Sequence, residues 1–156
     1  ASARDEIRHA RMVSSLARRR GAKTDPPRVS ATRHVRSLAR VARENAIEGC
    51  LRETFGALLA TWQAHAARDA RTRAVFARIA VDETRHAALS WCIAWWAESQ
   101  LSPRQRRRVR QAFDDARGAL DAELASPTPN AIAAEGLAPP PTLARAWLSA
   151  LADAMT

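Results

Sequence analysis

The chain of 156 residues has no tyrosine, one lysine, three phenylalanines, five glycines and two cysteines. Each scarcity excludes something. Two cysteines, Cys50 and Cys92, cannot build the disulfide framework of a small extracellular scaffold. Asn-Gly and Asp-Gly turns and β-branched runs are missing, which argues against hairpins and sheets. No uninterrupted apolar stretch reaches the length needed to span a bilayer, and no secretory signal is visible. A soluble chain is expected, with the cytoplasm favoured, although these residues do not fix the compartment. The chain opens without Met inside a helical pattern, so a processed or truncated N-terminus is expected.

Ala, Leu and Arg dominate what is present, and these are strong helix formers. The fold class expected is all-α. The net charge is +9, which raises nucleic-acid binding as a third reading. Dense basic runs occur only at Arg18–Arg20 and Arg104–Arg110, and the other arginines spread over helix faces. A nucleic-acid partner is therefore not expected.

Glycine, proline and capping residues divide the chain. A helix over residues 1–20 stops at Gly21, and a loop runs to about Ser30. A long helical pattern covers 31–67. A short break at 68–70 leads to a second long helix, 71–100. Ser102-Pro103 opens a helix to about Ala125. Residues 126–141 read as a Pro-rich linker, and Thr142 caps a short helix to about Ala154. Residues 1–125 are read as one bundle domain. The linker and last helix, 126–156, are expected to pack on it.

One phrase occurs twice: DEIRHA at Asp5–Ala10 and DETRHA at Asp82–Ala87, 77 residues apart. Two of the chain's four histidines sit in these copies, each with Glu three residues before it. That spacing puts an acid and an imidazole on one helix face. At about 100° per residue, Glu48 falls between Val41, Leu59 and Phe55, in the middle of an apolar stripe. Glu44 falls on the inner edge, and Glu53 about 140° away, toward solvent. Glu83 and His86 fall inward on their helix, and Glu6 and His9 share a face with Val13 and Leu16. Inward carboxylates without cationic partners cost several kcal/mol, and a metal offsets that cost. The structural alternatives are polar pairs on helix surfaces and a Glu48–Arg52 ion pair. His34 and His65 read as surface or packing residues. Trp91, Trp95 and Trp96 read as a flank packed on another helix or a dimer interface.

Two Glu-x-x-His helices together with a single Glu on another helix resemble the ligand set of the ferritin-like di-iron or di-manganese bundles. The spacing is most similar to rubrerythrin-type members: 42 residues from Glu6 to Glu48 and 35 from Glu48 to Glu83. The resemblance covers roughly residues 1–100. It implies an antiparallel helix bundle with extra C-terminal helices and a dinuclear centre of two iron ions, or manganese. Glu6 and Glu83 would bridge the metals, His9 and His86 would be terminal ligands, and Glu48 a terminal carboxylate. Glu44 would be a rim residue or an extra ligand, and Asp5 and Asp82 would orient the imidazoles. The family's usual first helix, with its own Glu, has no counterpart before Glu6. Either the chain is a fragment, or a partner chain, as in a homodimer, supplies that helix, or the site is incomplete. O₂ or peroxide would be the reactant, in iron oxidation, peroxide reduction or substrate oxygenation. No cysteine pair resembles a rubredoxin centre. A metal-free bundle acting as a scaffold is the alternative reading.

The two long helices should run antiparallel. If Glu48 faces Glu83 and His86, facing residues have numbers summing to about 132, whereas Cys50 and Cys92 sum to 142. That separates the thiols by about 15 Å along the axis, beyond disulfide reach. Both are expected to be free, and buried rather than reactive.

Overall fold

The computed structural model describes residues 2–25 and 35–155; every described element is helical, with no strand among the described residues. The chain divides into two compact units, Ala1–Arg36 and Ser37–Thr156.

The first unit carries α1 (Ser2–Arg19). Asp5 lies in its first turn and Arg18 and Arg19 in its last, where each sign complements the helix dipole. The helix closes at Gly21, which takes φ +82°. There the Ala22 N–H donates to Ala17 O and the Gly21 N–H to Arg18 O. This is the Schellman closure that glycine permits without Cβ strain.

The second unit begins with α2 (Leu38–Glu44), capped by Ser37, whose side chain accepts from the Arg40 N–H. The helical pattern expected from residue 31 thus begins at Leu38; residues 31–34, with His34, lie outside the described residues. α2 runs without a break into a π-helical stretch, Asn45–Glu53, and then into α3 (Thr54–Ala66). The backbone stays right-handed helical at both joints, so the three pieces form one rod. Asp69 then caps α4 (Ala70–Gln100): its carboxylate accepts from the Thr72 N–H at 2.8 Å and the Thr72 hydroxyl at 2.6 Å. α5 (Pro103–Leu124) opens with the expected Ser102-Pro103 signal, strengthened by a capping box with Gln105. A short α6 (Asn130–Ala134) interrupts the expected linker, and α7 (Pro141–Ala154) ends the described chain with Pro141 in its first turn.

α3 and α4 pack as an antiparallel hairpin, and α5 and α7 cover the rod's other side. The main core joins Leu51 and Phe55 of the rod, Phe113 and Leu120 of α5, and Leu148 and Leu151 of α7. Phe113 has no exposed surface; burying such a side chain contributes about 1.5–3 kcal/mol. Trp147 packs edge-on to Phe55 and Trp91 edge-on to Phe113. Trp91 is therefore part of the core margin, whereas Trp95 and Trp96 are exposed. No described helix is long and apolar enough to cross a membrane.

Candidate metal centre

The rod and α4 meet along a stripe of small residues. A Cβ on Gly49 would come within 2.5 Å of Ser90 Oγ, and one on Gly56 would lie 4.0 Å from Glu83 Oε2. Between these glycines, Glu53 faces His86, with Glu53 Oε2 3.7 Å from His86 Nδ1. Gly49 with Ser90, Glu53 with His86 and Gly56 with Glu83 keep one constant index sum, as an antiparallel pair must. Polar bolts hold this register. Asn45 Nδ2 donates to Ser90 O at 2.9 Å, Cys50 Sγ donates to the same carbonyl at 3.5 Å, and Trp91 Nε1 donates to Thr54 Oγ1 at 3.0 Å. Ser90 Oγ donates to His86 O at 2.9 Å.

Glu53, Glu83 and His86 each offer a donor atom within 4.8 Å of the others. His86 is buried and Glu53 is half-buried. Glu53 Oε2 is itself buried and accepts no hydrogen bond among the described residues. Two carboxylates and an imidazole at this spacing are the hard and borderline donors that first-row divalent metals take.

Glu48 corrects the sequence expectation. Its side chain is 72% exposed and lies 3.8 Å from Arg52, which also reaches Glu123 at 3.6 Å. The inward place goes to Glu53, which the helical count turns to solvent. Two causes act: α4 packs on the glycine side of the rod, about 200° from Phe55, where Glu53 lies, and the winding moves Glu48. A π-helix closes on the fifth residue rather than the fourth, so each step turns less than 100° and Glu48 is carried off the Phe55–Leu59 face. The sequence held one signal for Glu53. Gly49 and Gly56 are seven residues apart, hence on one helix face, with Glu53 between them, and paired glycines mark close approach of another backbone.

Glu44 sits on α2 with its carboxylate 2.9 Å from Arg40 Nε, not with Glu53, Glu83 and His86. Asp82 is buried and accepts from Arg85. On α1, Glu6 and His9 share one face, Oε1 to Nδ1 3.8 Å, and Asp5 accepts from Arg8 at 2.7 Å. His65 Nδ1 lies 2.8 Å from Thr61 O, a local helix contact.

The cysteines are both free, but not for the reason of axial offset. In the observed register they lie at nearly the same height. Cys50 points into the hairpin and Cys92 is exposed, so direction keeps them apart, and the expectation that both are buried fails for Cys92. No protein-family model, curated protein or solved structure matches this chain.

Proposed function

We propose that the chain is a ferritin-like dinuclear metal protein, with iron the expected metal, working with O₂ or peroxide. The convergence of Glu53, Glu83 and His86 on one point carries this reading. Glu53 and Glu83 would hold the metal and offset its charge, and His86 would supply the imidazole nitrogen. The repeated Asp-Glu-x-x-His-Ala phrase supports a second donor pair, Glu6 and His9, and with it a second ion. A bound iron pair supplies redox chemistry with O₂ or peroxide. The protein's share is to hold the ligands in place. Ser90 secures the helical turn that carries His86, and the Asn45 and Cys50 bonds to Ser90 O fix the rod's height against α4.

The test is elemental analysis after anaerobic Fe(II) loading and desalting. The expected content is about two irons per chain, as in the paired-carboxylate bundles. His86→Ala and Glu53→Gln should each weaken retention roughly tenfold or more, at least the effect of losing an outer-shell partner. Glu48→Gln should retain the metal. His9→Ala should halve the content if the phrase contributes the second pair. A parent chain that retains no iron leaves the metal-free scaffold reading.

A further inference from the structure

Apart from the carboxylate–imidazole set, residues of α2, α4, α5 and the end of α7 surround a cavity of about 140 Å³. Its floor is Ala42, Ala97 and Leu101, all buried. The hollow exists because alanines stand at two of these positions and at Ala94 on its wall, where larger side chains would fill it. Trp91 and Trp95 form one side. An apolar cavity of about 150 Å³ holds one benzene ring, so the volume suits a single ring or a short branched chain. Tryptophan walls favour the ring.

The rim is charged. Arg110 NH1 lies 3.5 Å from Glu98 Oε1, with both side chains about half exposed, an arrangement that holds little energy in solvent. Arg106 donates through Nε to Leu101 O at 3.0 Å, which pins its guanidinium at the edge. Two guanidiniums against one carboxylate leave the mouth positive, in a chain of net charge +9. Arginine pairs with carboxylates in a two-pronged geometry that lysine cannot match.

We propose that this cavity binds a small amphiphilic anion, an aromatic carboxylate of about the size of benzoate. The ring occupies the alanine-floored hollow beside Trp91 and Trp95, and the carboxylate meets Arg106 and Arg110. None of these residues belongs to the metal set, so the site stands independently of that reading.

The experiment is a calorimetric or ligand-observed NMR titration of the full chain with sodium benzoate and, separately, benzyl alcohol. Benzoate should saturate below about 10 mM, and the neutral alcohol should bind roughly tenfold more weakly, the factor a charged hydrogen bond supplies. Ala94→Leu should abolish both, and Arg110→Gln should bring benzoate down to the alcohol. If Ala94→Leu fails to fold by circular dichroism, the Arg106→Gln/Arg110→Gln pair replaces it, with the same loss of benzoate preference expected. Titrations before and after chelation should agree. Absence of saturable benzoate binding overturns the proposal, as does benzoate binding that survives Ala94→Leu. Equal affinity for the alcohol overturns the anion assignment. Binding that vanishes on chelation assigns the carboxylate to the metal instead.

Discussion

Cys50 is fully buried, donates through Sγ to Ser90 O, and has its thiol pushed up by burial from 9.0 to about 12. A thiolate there would lose its hydration without gaining a cation. The consequence for stability has a definite sign. Between about pH 9 and pH 12 the unfolded chain has lost this proton and the folded chain keeps it. Unfolding therefore releases a proton in that window, and stability falls as pH rises through it, while below pH 9 the term is constant. The chain has no tyrosine and one lysine, so few other groups titrate there. Urea midpoints compared at pH 8 and pH 10.5 should drop for the parent chain and drop less for Cys50→Ala. An equal drop in both would remove the buried thiol as the cause. At pH 8 a maleimide should label Cys92 in the folded chain and reach Cys50 only after denaturation. Free thiols were legible in the sequence; the reason was not, because helix register cannot be read from the spacing of one misassigned acid.

The element that most separates expectation from observation is the π-helical stretch. Helix ends were legible because their signals are local: Gly21, Asp69 and the Ser102-Pro103 pair each act within a turn. Phase along a helix accumulates, and a stretch of different winding displaces everything counted across it. Glu83 and His86, on the uninterrupted α4, lie toward the rod as the count expects, whereas Glu48, counted across the π-helical stretch, is turned to solvent. π-helical turns concentrate at functional sites, and this one ends on a proposed ligand. Gly49 is what lets the stretch lie against α4. In Gly49→Ala the new Cβ would meet Ser90 Cβ at 2.7 Å and Asn45 Oδ1 at 2.8 Å as well as Ser90 Oγ. Ser90 Oγ is committed to His86 O and cannot simply rotate away without losing that bond. The expected cost is about 1–3 kcal/mol in chemical denaturation. Gly118→Ala, with nothing within 4 Å of the new Cβ, is the control and should stabilise α5 slightly. A Gly49→Ala chain as stable as the parent would show that the rod is not held against α4 at this point.

For the molecule as a whole, an all-helical chain was evident from composition and periodicity, but the way its last segment is tied down was not. Residues 126–141 read as a spacer because proline and polar residues dominate. Yet Gly136, at φ +71°, lies so close to Ala66 O that no side chain fits. The Arg68 N–H donates to Glu135 O at 3.1 Å, and Gln63 Nε2 to Leu137 O at 2.8 Å. These contacts join residues far apart in sequence, and no local pattern announces them. They deliver α7 to the core, where Leu148 is 2% exposed and Ala144 1%. α7 is therefore part of the same cooperative unit as the rod and α5. Leu148→Ala should cost about 2–5 kcal/mol, and residues 37–155 should still unfold in one transition, shifted as a whole. Trp96→Ala removes a larger side chain, but one that is 59% exposed, and should change stability by less than about 0.5 kcal/mol. The comparison is decisive because size alone predicts the opposite order. If Leu148→Ala instead produced a separate early transition, with the α5 and rod signals unmoved, α7 would be an appendage and the core would close without it.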